Sequence, residues 1–78
     1  MITGAQVRMA RAALRMSVRD VAAAAHVSPN TISRIEADHP ANSSTLMALR
    51  NAFETAGVEF TNGDAPGVRL RARDDAKG

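Results

Sequence analysis

The chain has 78 residues, no cysteine, two histidines, two aromatic residues and a net charge of only +2. This length makes one small domain with a marginal core, which dimerisation would help. The missing cysteines exclude disulfides and thiolate metal sites, and His26 and His39 alone cannot form a His-rich site. No apolar run approaches the roughly 20 residues of a membrane span, and the N-terminus lacks a signal-peptide core. The protein is therefore expected in the cytoplasm, on the nucleoid, with no metal or cofactor.

In chain order, Thr3 is expected to cap a first helix from Gly4 to about Arg15, with Val7, Ala10 and Leu14 facing inward. Arg8, Arg11 and Arg15 lie on an adjacent face, from which one or two reach phosphates. The stretch Ser17 to Glu36, SVRDVAAAAHVSPNTISRIE, carries most of the information. Ser17 precedes an apolar-periodic run and has Asp20 three residues on, a capping box in which Asp replaces the usual Glu or Gln. Val18, Val21, Ala22 and Ala25 share one stripe, and the four alanines from Ala22 to Ala25 let a second helix cross closely. Val27 is expected to enter the core at a turn. Ser28 caps the next helix and Pro29 takes its first position, where a missing N–H costs nothing. Ile32 and Ile35 point inward, which leaves Asn30, Ser33 and Arg34 outside. Their donors and acceptors suit base edges in a major groove. Two short helices, a tight turn and a polar start to the second helix make the pattern of a DNA-binding helix-turn-helix.

Beyond it, Ala37 to Ser43 reads as a loop marked by Pro40 and Asn42. Ser44 is the predicted cap of a helix from Thr45 to about Ala56, with Leu46, Leu49, Ala52 and Phe53 inward and Gly57 ending it. Residues Val58 to Thr61 and Val68 to Arg73 alternate in polarity around the turn formers Asn62 to Gly67, a β-hairpin with Val58, Phe60, Val68 and Leu70 on one face. A lone two-stranded hairpin is marginal in water. It must pack on the helices or pair across a dimer, and dimerisation is the expected role of those four residues; alternatively Arg69, Arg71 and Arg73 reach DNA. The expected organisation is a DNA-binding domain over 1–57, a hairpin over 58–73 and a disordered polar tail over 74–78. Charge is uneven along the chain: +4 over residues 1–35, −4 over 36–66 and +2 over 67–78. Phosphate attraction needs a positive face rather than a large total.

Val21-Ala22, then Val27-Ser28-x-x-Thr31-Ile32-Ser33-Arg34-Ile35-Glu36, then Ser44-Thr45-Leu46 and the helix around Leu49 carry a resemblance to a known family. Over most of residues 4–57 the chain resembles the lambda repressor/Cro-like, or XRE, group of bacterial and phage regulators. The resemblance implies a mainly α fold, a lambda repressor-like helical bundle of four to five helices, here with a C-terminal β-hairpin. It also implies a homodimer on double-stranded DNA that regulates transcription. Together with the donor chemistry it assigns base contacts to Arg34 (guanine), Asn30 (adenine), Ser33 and Pro29 (a thymine methyl). Phosphate contacts fall to Ser17, Arg19, Ser28 and Thr31, to Asn42, Ser43, Ser44 and Thr45, and to Arg8 and Arg11. Two positions depart from the family. His26 stands where relatives commonly place Gly to allow a positive φ. Val18 stands where many carry Gln to grip a phosphate, so that helix must anchor through backbone N–H groups, Ser17 or Arg19.

An enzyme is disfavoured, since no nucleophile–base pattern, phosphate-binding Gly loop or metal set is present. The alternative reading is an antitoxin-type DNA-binding protein that also holds a partner protein through its C-terminal segment. A DNA-bending architectural factor is a third option, and RNA binding lacks an aromatic platform.

Overall fold

A computed structural model describes residues 1–71. Four helices, α1 (Gly4–Leu14), α2 (Val18–Ala25), α3 (Pro29–Glu36) and α4 (Ser43–Thr55), precede an antiparallel hairpin of β1 (Val58–Thr61) and β2 (Gly67–Leu70). The expected mainly α bundle with a C-terminal hairpin is therefore the observed one. One core serves every element. Val7 and Ala10 of α1, Val21, Ala22 and Ala25 of α2, Ile32 and Ile35 of α3, Leu49 and Phe53 of α4 and Val58 of β1 are all buried in it. The small side chains of α2 leave room for α3 and α4 to pack close. Leu14, Val18, Val27, Leu46 and Ala52 are half-buried around this centre.

The helix starts follow capping chemistry. Thr3 caps α1 in a reciprocal box with Gln6. The box of Ser17 and Asp20 is complete despite its short carboxylate: Asp20 N–H donates to Ser17 Oγ at 3.0 Å, and Ser17 N–H donates to Asp20 Oδ2 at 2.9 Å. At α4 the expectation needs correcting. Asn42, not Ser44, is the cap, its Oδ1 accepting from Thr45 N–H at 3.1 Å. Asn is at least as good a cap as Ser, and using it adds Ser43 and Ser44 to the first turn.

The helix ends were less legible. α1 and α2 are capped by left-handed residues that are not glycine, Arg15 (φ 57°) and His26 (φ 59°), and after α3 the residue following the Ala37 cap, Asp38 (φ 66°), takes the same conformation. In each case the next N–H reaches back to close a Schellman-type turn, Met16 to Arg11, Val27 to Ala22 and His39 to Arg34. An L-residue in this conformation costs roughly 1–2 kcal/mol. His26→Gly is therefore expected to stabilise the protein by about 1 kcal/mol, allowing for glycine's greater unfolded-state freedom. A urea titration reads this directly, and a lower midpoint for the variant contradicts it.

The hairpin pairs Val58 with Leu70 and Phe60 with Val68, which puts all four on one face as predicted. That face turns into the chain's own core. Val58 is fully buried, Val68 is half-buried, and Phe60 meets Phe53 edge-on with ring centroids 6.0 Å apart. Only Leu70, at 54% exposure, remains open. Within the single chain, Val58 thus has no exposed surface to offer a second copy, and Phe60 and Val68 keep only part of theirs. The physical reason is proximity: α1 and α4 offer apolar surface within the same chain. Gln6 clips the hairpin down. Its Nε2 donates to the carbonyls of Thr61 (2.9 Å) and Gly67 (3.1 Å), while its Oε1 accepts from Thr3 N–H. The end of the predicted second strand (Ala72 and Arg73) and the tail over 74–78 lie outside the described residues.

Candidate nucleic-acid interface

The core fixes which face of α3 is free. With Ile32 and Ile35 buried, Pro29, Asn30, Ser33 and Arg34 are exposed on a rod whose far side is held by the bundle. Ala37, at the C-cap of α3, continues the same face at the i+7 position from Asn30 and is also exposed. It was missed in the sequence because a single alanine after a helix carries no chemical signal; the spacing from Asn30 was the available clue. Thr31 is half-buried. Its N–H bonds Ser28 Oγ at 3.2 Å and its hydroxyl pairs with the same atom at 2.8 Å, so Ser28 and Thr31 are tied to capping.

Thr31 and Arg34 face the start of α4 across a groove of ≈ 280 Å³, whose other wall is Pro40, Ala41, Asn42 and Thr45. Two sets of predicted contact residues, far apart in sequence, are brought together here. Asn42 Oδ1 gathers the Ser44 hydroxyl (3.2 Å), the Thr45 hydroxyl (2.6 Å) and Thr45 N–H. The N–H groups of Ser43 and Ser44, at the start of a 13-residue helix, have no acceptor within that helix. They point where the helix dipole favours an anion.

The arginines divide into two groups. Arg11 is engaged: its Nε and Nη2 donate to the two carboxylate oxygens of Glu36 at 2.8 and 3.0 Å. Hydrogen bonding to Glu36 raises the Arg11 pKa, desolvation opposes the rise, and coulombic attraction adds to it. Arg8 donates to the backbone carbonyl of Glu36. Both expected phosphate ligands on α1 therefore hold the C-terminal end of α3, where cations suit the dipole. Arg50 pairs with Glu54, Arg69 with Glu59, and Arg71 donates to the Glu54 carbonyl. Among the described residues, Arg15, Arg19 and Arg34 have no such partner; Arg19 and Arg34 lie within the helix-turn-helix and Arg15 just before it. Beside Arg19, the Asp20 carboxyl is held below its ordinary pKa by the Ser17 N–H and then the Ser17 hydroxyl, so it stays a capping anion. Ser17 and Arg19 are exposed at the start of α2.

No group of His, Asp and Glu among the described residues is placed to hold a metal ion. No helix among them is long and apolar enough to cross a membrane.

A helix-turn-helix family model of the Cro/C1 type matches residues 7–60, spanning α1 to β1. The chain belongs to that family, the XRE helix-turn-helix proteins, and is a DNA-binding protein of this class. A comparison with curated proteins returned no match.

Proposed function

We propose that this protein is a sequence-specific transcription regulator that binds an inverted-repeat operator as a homodimer on the nucleoid of a bacterial or phage-infected cell. The observation that carries the reading is the exposed face of α3. Asn30, Ser33 and Arg34 stand free on a helix backed by a rigid core, beside the polar groove that leads to α4. In this reading α3 enters the major groove. Arg34 forks onto guanine O6 and N7, Asn30 pairs with adenine, Ser33 accepts or donates, and Pro29 and Ala37 meet thymine methyls. Arg19, Ser17 and the α2 start hold one phosphate, and Asn42, Ser43, Ser44 and Thr45 hold another. Ser28 and Thr31 contribute hydroxyl oxygens from their capped positions. Arg8 and Arg11 act at one remove, by fixing α3 through Glu36. Two copies would place their α3 helices roughly 34 Å apart, one helical turn of DNA.

The test is a pair of substitutions read on an operator selected from random DNA. Arg34→Ala should cost about 1–3 kcal/mol and relax specificity at one base position. Arg19→Ala should weaken all sequences alike and reduce the salt slope by about one phosphate contact. An unchanged titration for Arg34→Ala rejects this docking. The antitoxin alternative draws its support from Leu70, the exposed apolar residue of the hairpin; co-purification of a second small protein, lost in Leu70→Glu, would favour it.

A further inference from the structure

Asn62 to Pro66, the loop that joins β1 to β2, is the longest run of exposed residues in the described chain. Its ends are fixed. Gln6 Nε2 holds the carbonyls of Thr61 and Gly67, and the Thr61 hydroxyl donates to the Ala65 carbonyl at 3.3 Å. Between these anchors stands the dipeptide Asn62-Gly63. Gly63 takes φ 87°, and a Cβ built on it would meet nothing within 4 Å, so the space around it is open. Among the described residues the Gly63 N–H donates to no acceptor, and the Asn62 amide makes no hydrogen bond. The other three asparagines are placed differently. Asn30 and Asn51 lie inside α3 and α4. Asn42 Oδ1 accepts from the Ser44 hydroxyl, the Thr45 hydroxyl and Thr45 N–H. Each of the three is followed by a residue that carries a Cβ: Thr31, Ala52 and Ser43.

We propose that Asn62 is a site of spontaneous covalent modification, at which the side-chain amide is lost and the turn becomes aspartyl or isoaspartyl. The Gly63 nitrogen attacks Asn62 Cγ, and the new N–Cγ bond closes a succinimide. The Cγ–Nδ2 bond breaks, and Nδ2 leaves as ammonia with the proton given up by the Gly63 N–H. Water then opens the ring. Addition at Cγ breaks the N–Cγ bond and gives aspartate; addition at the main-chain carbonyl carbon breaks its bond to nitrogen and gives isoaspartate. Gly63 favours the attack because no Cβ crowds its nitrogen and its backbone turns freely. Within α3 and α4 the same attack would require the main chain to leave the helix and give up its hydrogen bonds. The two products differ in what they do to the fold. Aspartate keeps the main-chain length and adds a charge in solvent. Isoaspartate routes the main chain through Cβ and Cγ, lengthening the loop by a methylene between Thr61 and Gly67. A single Gln6 nitrogen holds both of those carbonyls, so the isoaspartyl form strains this clip and loosens the hairpin.

The folded full chain, aged at pH 8 and 37 °C and then digested, tests this by mass spectrometry with each asparagine assigned from fragment ions. Asn62 should show the mass change of an amide exchanged for an acid, in two isomeric products. It should do so faster than Asn30, Asn42 or Asn51 by on the order of tenfold, a barrier difference of about 1.4 kcal/mol. Hydroxylamine added during ageing should trap the succinimide and cut the chain between Asn62 and Gly63, and Asn62→Gln should abolish the cut. The isoaspartyl fraction, once separated, should unfold at lower urea than the Asn62→Asp variant, which should match the parent. An Asn62 amide that survives as long as the other three, or a native chain that hydroxylamine leaves whole, overturns the proposal. An isoaspartyl fraction as stable as Asn62→Asp overturns its link to the Gln6 clip. No arm of the experiment involves DNA, so the outcome is independent of how α3 docks.

Discussion

Replacing Gln6 with alanine is expected to be among the most damaging single changes in this protein, at about 3 kcal/mol. Gln6 is 1% exposed and is the one buried polar side chain among the described residues. Its amide satisfies the carbonyls of Thr61 and Gly67 and the N–H of Thr3. Truncation leaves these groups short of a partner, each a loss of about 1–3 kcal/mol where water cannot enter, and opens a cavity between α1 and the hairpin. A domain of this length has on the order of 4–12 kcal/mol in total, so a large fraction is at stake. Gln6→Glu separates packing from hydrogen bonding. The carboxylate keeps the shape but turns an acceptor toward two carbonyl oxygens. Burial and these oxygens raise the variant's folded pKa, so its stability is present below the unfolded value of about 4.3 and falls as pH rises through the folded pKa. Urea unfolding at pH 4 and pH 7 measures both effects. A Gln6→Ala variant within about 0.5 kcal/mol of the parent, the range of an ordinary surface change, contradicts this account of the hairpin.

Gly4→Ala is the second large effect, and its sign is the opposite of what helix propensity suggests. Glycine in a helix is ordinarily worse than alanine by about 1 kcal/mol. Here a Cβ on residue 4 would overlap the backbone carbonyl oxygen of Ile35 and crowd Asp38 Oδ1 at 2.9 Å. A backbone carbonyl at the end of α3 cannot step aside without moving the helix. The expected cost is about 1–3 kcal/mol, the range for overpacking a tight interior. Because Arg8 and Arg11 grip Glu36 close to this contact, the same change should shift α3 against the bundle and weaken operator binding. Thermal unfolding and a DNA titration of the variant check the two consequences. A variant more stable than the parent would show that α1 does not press on α3 as described.

Most of the fold was legible because local signals agreed. The cap of α1 at Thr3, the Ser17–Asp20 box, Ser28-Pro29 and the inward pair Ile32 and Ile35 each follow from short-range chemistry, and the structure keeps all of them. What sequence left hidden depends on partners distant along the chain. Arg8 and Arg11 read as free cations because Glu36, 25 or more residues away, becomes their partner only once α1 crosses the end of α3. Gln6 read as a cap residue, and nothing local shows that its other amide face meets the hairpin. The hairpin's apolar face was correctly composed, but alternation does not say whether a strand buries it in its own chain or in another. Two of the three left-handed helix ends, Arg15 and Asp38, passed unseen because no glycine marks them. For the candidate contact residues, the sequence pointed to the exposed face of α3; the convergence of Thr31 and Arg34 with Asn42 and Thr45 on one groove required the fold.

The central claim, that α3 reads the major groove, is tested most directly by guanine N7 methylation protection on an operator selected at fixed salt. N7 opens only into the major groove. The account predicts two protected clusters about one helical turn apart on one face of the duplex, with protection at one guanine per half-site lost in Arg34→Ala. Bound DNA whose N7 positions all stay reactive, or protection unaltered by Arg34→Ala, would contradict it.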